Sequence, residues 1–416
     1  MTPSSIADNF AALAADPRVR AALDSIERDA EATLAEQIRL AMIPAPTFAE
    51  GERAAYLKTC FETFGFADIR IDAVGNVIAR RPGTGGGPTL VFSAHMDTVY
   101  PAGTDLTVRT LDDGRLEGAG IADDARGLAE VLAVGRALEG AAIQTVGDIW
   151  FVATVGEEGH GDLRGVRALF DAHAAQIDGF ISIDGALTER IAFVAVGSHR
   201  YRVTFTGPGG HSFSDFGRPS AIHAMGRAIA GIADLTTPNP PRTTFTVGTV
   251  CGGTSVNTIA SEASFDLDLR STDMDALRQL ETQAHAAIDA AVAAENARWG
   301  FARPIVVRSE PIGARPGGAQ PVDAPIILAA SHALRHVGFE PILSIPASTD
   351  SNVAISLGIP GVTLAPGGGS GENHTVREWY NPQDAFRGVQ KNLLAVLALV
   401  GVAGSSAPVL AVRARA

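Results

Sequence analysis

The sequence predicts an α/β fold interrupted by an inserted α+β domain, and three of its features carry that expectation. Short apolar runs, each followed by a polar loop and an amphipathic helix, recur through the first half of the chain and again after about residue 325. Between them the texture changes at about Gly197 to alternating, half-exposed strands in the order strand–helix–strand–strand–helix–strand, the ferredoxin-like arrangement. The length of 416 residues, 46% apolar and 19% charged, suits an ordinary globular protein large enough for two domains.

In chain order, helical periodicity extends from about Ile6 to Met42 and stops at Pro44 and Pro46, and a second helix covers about Glu50 to Phe64, closed by Gly65. Ile69–Asp72 and Asn76–Ala79 read as strands joined by a turn at Gly75-Asn76. The stretch from Leu90 is a buried strand delivering His95 and Asp97 at its carboxyl end, where open α/β sheets bind ligands. Asp112-Asp113-Gly114 marks a hairpin framed by Leu106–Val108 and Arg115–Glu117. Gly118 to Asp124 opens a helix from about Arg126 to Leu138. The strand Ile149–Thr154 leads to Gly156-Glu157-Glu158-Gly159, the helix Arg164–Ala174 follows, and the strand Gly179–Ile183 ends at Asp184.

In the inserted stretch, strands are expected at His199–Thr206, Thr243–Val250, Ala263–Leu269 and Ile305–Arg308, with helices at Ser220–Leu235 and Asp275–Arg298. The first pattern then resumes, with a helix from Pro325 to Val337, a strand Pro341–Ile345, a helix Asn352–Leu357 and a strand Gly361–Ala365. A glycine-rich run, Gly367 to Gly371, precedes His374, and Leu393–Val402 reads as a buried helix.

The balance of 33 basic against 46 acidic residues, a net charge of −13, disfavours nucleic acid and anionic membranes as partners. Cys60 and Cys251 have no metal-type spacing and read as reduced thiols. The first 16 residues lack a basic region followed by an apolar one, and no long uncharged apolar stretch occurs, so a soluble cytoplasmic protein is expected.

His95 and Asp97, Glu157 and Glu158, Asp184 and His374 follow expected strand ends, and Asp123-Asp124 sits where a helix begins. Each has an ordinary reading: a helix cap favoured by the dipole, a solvated pair, an exposed loop histidine. Gathered on one face, these carboxylates would repel unless cations neutralised them. Imidazoles and shared carboxylates suit two divalent ions, zinc or else cobalt or manganese, about 3.5–4 Å apart. One of the adjacent glutamates could then ligate while the other takes a proton from water.

The sequence resembles the zinc-dependent family of peptidase T, carboxypeptidase G, aminoacylase, acetylornithine deacetylase and succinyl-diaminopimelate desuccinylase. The matching runs are Ser93–Val99, Gly120–Asp124, Gly156–Gly159, Ser182–Gly185, Gly209–Ser212 and His374–Trp379. The resemblance implies a mixed-sheet, zinc exopeptidase-like catalytic domain over residues 1–197 and 312–416. It also implies a lid and dimerisation domain over 198–311, and hence a homodimer. By resemblance, His95 and Asp184 bind one metal, Glu158 and His374 the other, and Asp123 bridges them. Glu157 is then the general base acting on water at the metals, and Asp97 orients His95. His211 would stabilise the oxyanion, commonly across the dimer interface, and Asn257 and Arg270 would contact substrate.

The implied activity is hydrolysis of an amide bond in a small peptide, with deacylation or desuccinylation of an N-acyl amino acid as the alternative. Where relatives commonly carry lysine and glycine after the paired aspartates, this chain has Ala125-Arg126-Gly127. A non-catalytic relative would lack a ligand or the base, and none is missing. A phosphate loop would end in Gly-Lys-Ser/Thr, whereas the glycine run here ends Gly371-Glu372-Asn373. No Gly-x-Ser-x-Gly elbow follows a strand. His160, beside the glutamate pair, is a candidate for supporting the ligands from behind, and His199, at the start of the insertion, a candidate hinge or interface residue.

Overall fold

Residues Leu90, Val91 and Phe92 have no polar side chain to place in water, and burying each large one stabilises the fold by about 1.5–3 kcal/mol. In the computed structural model, which describes residues 3–343 and 345–414, the strand Thr89–His95 is accordingly buried along its whole length. It lies inside a seven-stranded sheet ordered Ala67–Ile71, Val77–Arg81, Asp148–Thr154, Thr89–His95, Gly179–Ile183, Gly361–Leu364, Ile191–Ala192. The four strands Asp148–Thr154, Thr89–His95, Gly179–Ile183 and Gly361–Leu364 run parallel, and the marginal pairings are antiparallel. The sheet is therefore mixed. The chain leaves Thr89–His95 to build one neighbour and later the other, so the carboxyl end of that strand is a topological switch point.

Helices Ala125–Gly140 and Phe386–Val400 are buried on nearly every side, as sequences apolar around their circumference require. The region expected as one helical stretch from Ile6 to Met42 is three helices, Pro3–Ala15, Pro17–Arg28 and Ala30–Ala41. Asp16, whose carboxylate accepts the Arg18 amide, and Pro17 at the first helical position start the second. The strand expected at Pro341–Ile345 is not formed among the described residues there. A single bridge joins Ile342 to Arg190, and residue 344 lies outside the described residues. The glycine-rich run, read as loop, instead contributes Gly369–Gly371 to a small sheet with Trp379–Asn381, Leu116–Glu117 and Arg109–Thr110.

The chain divides into two compact units, one up to Ala195 and again from Ala319, the other Val196–Gly318. The second unit is a four-stranded antiparallel sheet ordered Thr243–Gly252, Glu262–Ser271, Gly197–Thr206, Val306–Arg315, with helices Ala221–Ala233 and Met274–Trp299. Numbered along the chain, its strands lie in the order 2-3-1-4, which is the ferredoxin-like topology. One face alternates inward with Phe265, Leu267 and Leu269, whose partners Leu277, Leu280 and Ile288 come from the long helix.

Candidate metal centre

His95, the Glu157-Glu158 pair and Asp184 stand at or just past the carboxyl ends of parallel strands, whereas Asp123 precedes the helix Ala125–Gly140 and His374 lies in the loop after Gly369–Gly371. His95 is the last residue of its strand and is 2% exposed. Its Nε2 lies 3.0 Å from Oδ1 of Asp123, while the other oxygen of that carboxylate, Oδ2, lies 3.2 Å from Nε2 of His374. The same His374 nitrogen is 3.0 Å from Oε1 of Glu158. Asp123 thus faces two imidazoles, one through each oxygen. Donor atoms of His95, Asp123 and Glu158 all fall within 4.8 Å of one another.

This donor set fits a metal site. Bonds of about 2.0–2.1 Å at tetrahedral angles put neighbouring ligands roughly 3.3 Å apart, close to the separations between these nitrogens and oxygens. The imidazoles and carboxylates of this cluster also shift one another's pKa values. Hydrogen bonds to Asp123 and then Glu158 push His374 up to about 10. At His95 burial alone would lower the pKa, but bonds to Asp123 and Asp97 outweigh it and raise it well above the ordinary value. Burial works against ionisation of Asp123 too, yet the His374 and His95 bonds hold it well below the usual carboxylate range. Burial, then the charge of Asp123, pushes Asp184 up to about 7, so this carboxyl belongs to the same electrostatic cluster.

Asp97 is completely buried, and its closest partners are not the imidazole. Oδ1 accepts the Glu157 amide at 2.9 Å and Oδ2 accepts the Glu158 amide at 3.0 Å, along with the Thr47 hydroxyl at 2.9 Å. His95 Nδ1 meets the backbone oxygen of Asp97 at 3.0 Å and its Oδ1 at 3.6 Å. Asp97 therefore holds the loop that carries both glutamates, and fixes the His95 tautomer mainly through its carbonyl.

Asp124 caps the helix behind the site. Its Oδ1 accepts the Gly127 amide, and its Oδ2 accepts the His95 amide at 3.0 Å. A Cβ on Gly127 would sit 2.2 Å from that capping oxygen, so glycine is required there. The peptide between Asp123 and Asp124 is cis. Arg126, in the run that departs from the common spelling, is buried and donates to the carbonyls of Pro366 and Ala385, anchoring the glycine-rich segment from beneath. Tyr380 and Lys391 do the same for the carbonyls of Gly367 and Ala365.

Several supporting residues carry no sequence motif of their own. Glu50, 4% exposed, accepts the amides of Phe48 and Gly156 and binds Arg164 through both oxygens, at 2.7 and 2.8 Å. Arg53 donates to the carbonyls of Met96 and Ile43, and burial pushes it down to about 10 despite Asp97 and Asp124 nearby. The spacing Thr47-x-x-Glu50 before a helix was the available signal, but it reads as a helix cap. His160 is exposed on the turn after Glu158.

In the second unit, His211 and Asn257 are brought together. His211 pairs with Thr258 in a two-stranded ladder, and the Ser212 amide donates to the Asn257 carbonyl. His211 Nδ1 accepts the amides of Phe213 and Ser214, at 3.2 and 3.4 Å, which leaves Nε2 as the proton-bearing nitrogen. Arg270 lies on the strand Glu262–Ser271, and its Nε donates to Asp268 at 2.6 Å. His199 bonds Glu281 at 2.9 Å within this unit.

Residues 91–397 match the sequence profile of peptidase family M20/M25/M40. The chain belongs to this family. It is 27% identical over 349 residues to an uncharacterized Bacillus subtilis protein, YqjE, covering 80% of this chain and 90% of that one. It is 28% identical over 243 residues to a succinyl-diaminopimelate desuccinylase of Leptothrix cholodnii, covering 54% of this chain and 62% of the relative. Among solved structures, a Staphylococcus aureus tripeptidase superposes with a TM-score of 0.75 at 23% identity over 88% of this chain and 97% of its own. The Bacillus cereus aminopeptidase PepT gives 0.72 at 24% identity, over 88% of this chain and 98% of its own. These two likenesses establish the shared fold.

Proposed function

We propose that the protein is a dinuclear metal-dependent hydrolase that cleaves an amide bond in a small peptide. The observation that supports this best is the Asp123 carboxylate, with one oxygen on His95 and the other on His374. Two divalent ions, zinc by family preference or else cobalt or manganese, held by His95 and Asp184, by Glu158 and His374, and by Asp123 between, would polarise the scissile carbonyl and acidify water. Glu157 is 5% exposed on the loop that Asp97 holds through two amides. A carboxylate so placed takes a proton from the attacking water and delivers it to the leaving amine. Asp97 keeps that base in register and the His95 ring oriented. In the second unit, Nε2–H of His211 is available to donate to a developing oxyanion, Asn257 and Arg270 contact the substrate, and the unit serves as lid and homodimer interface.

Deacylation or desuccinylation of an N-acyl amino acid is the second reading, favoured by the Leptothrix relative. No helix among the described residues is long and apolar enough to cross a membrane; a cytoplasmic location is part of the proposal. The test is a panel of di- and tripeptides beside N-acetyl and N-succinyl amino acids, run on chelated protein re-supplied with zinc, cobalt or manganese. Turnover of peptides alone supports the first reading, turnover of acyl amino acids alone the second, and turnover of neither contradicts both.

A further inference from the structure

One buried carboxylate beside the site belongs to neither the ligand set nor the base. Glu378 is 0% exposed and follows His374 by four residues. Its Oε1 accepts the Ala122 amide at 2.7 Å and the Asp123 amide at 2.9 Å. Its Oε2 lies 2.9 Å from the Tyr100 hydroxyl, which is also 2.7 Å from the Thr375 carbonyl. The Glu378 carbonyl accepts the Gly118 amide at 2.9 Å, so this one residue grips the 118–123 turn at both ends. Through Tyr100 and its own amide, which donates to Thr375, it grips the His374 turn as well.

That turn needs a restraint. His374 has φ +66° and Glu372 φ +54°, a left-handed conformation that side-chain-bearing residues adopt at a cost. The His374 side chain is also 55% exposed, so packing does little to fix it. His95, by contrast, is locked in the buried strand.

We propose that Glu378 is the positioning residue that couples the bridging Asp123 to His374, so that occupancy of the Glu158–His374 metal position depends on it. This rests on the two-ion reading above. Removing the carboxylate strands two amides and frees the His374 turn, while the His95 end keeps its strand and its Asp124 tie. Glutamine keeps an acceptor oxygen for both amides and offers Tyr100 an amide donor, so it restores the coupling.

The test is titration of chelated full-length protein with cobalt(II), following visible absorption and calorimetric stoichiometry. In Glu378→Ala the first equivalent should bind as in wild type and the second about 10- to 100-fold more weakly, the range for outer partners of metal ligands. Glu378→Gln should restore the second. Tyr100→Phe, which removes one hydroxyl and leaves the carboxylate, should weaken the second equivalent by a smaller factor and serves if the alanine variant fails to fold. Unchanged binding of both equivalents in Glu378→Ala or in Tyr100→Phe, or an equal loss of both, overturns the coupling. A single equivalent in wild type overturns the two-ion reading and the coupling with it.

Discussion

His95 and His374 reach the same carboxylate from opposite kinds of backbone. His95 ends a strand hydrogen-bonded to neighbours on both sides, and its side chain is 2% exposed. His374 sits in a left-handed turn with its ring 55% exposed. The first imidazole is placed by the sheet itself, so its position follows from the same apolar burial that builds the fold. The second is placed by a loop whose carbonyls are tied down one at a time from below, by Lys391, Arg126 and Tyr380. One half of the site is thus as stable as the core, and the other is only as stable as its hydrogen bonds.

The sharpest way to break this comparison is to remove each imidazole in turn. His95→Ala should abolish uptake of both ions, because Asp123 loses the partner that faces its Oδ1 within the buried half. His374→Ala should leave about one ion bound per chain. Metal content after dialysis decides the point, and equal losses in the two variants would remove the asymmetry.

A pH series sharpens it. The His374 pKa is raised from 6.5 to about 10 by Asp123 and Glu158, so in metal-free protein its imidazolium pairing contributes fully below 6.5 and fades as pH rises through 10. A metal ion must displace that proton, so the apparent affinity of the loop-held position should rise about tenfold per pH unit across that window. Calorimetry in buffers of different ionisation enthalpy should show His374→Ala releasing about one proton fewer than wild type on metal loading. An identical proton count would place the titrating group elsewhere.

Smaller effects are expected from the struts behind the glutamate loop. Glu50→Gln weakens the grip on Arg164 and should lower stability by about 1–3 kcal/mol, read as a shifted denaturation midpoint. Thr47→Ala removes one bond to Asp97 and should cost about 1 kcal/mol, or roughly fivefold in kcat/KM, with metal content unchanged.

The difference between the two halves also marks what could be read from sequence. Strand ends were legible because an apolar run followed by a His-x-Asp or a Glu-Glu pair states its own position, and Thr89–His95, Asp148–Thr154 and Gly179–Ile183 form at those places. The amide bonds from Glu157 and Glu158 to Asp97 join residues about sixty positions apart, and neither partner's neighbours encode them. Glycine is permissive, so the glycine run by itself suggests a loop; only pairing with Trp379–Asn381 makes part of it a strand. Pro341–Ile345 differs for the converse reason: an apolar run suggests a strand, but among its described residues Ile342 makes a single bridge to Arg190.

The most direct test of the account is Glu157→Gln, compared with wild type for metal content and for turnover of whichever peptide or acyl amino acid the panel selects. The expected result is full metal loading with kcat lowered roughly 10²–10⁴-fold, the range for loss of a general base. A variant that keeps wild-type turnover, or a wild-type enzyme as active after chelation as before, would contradict it.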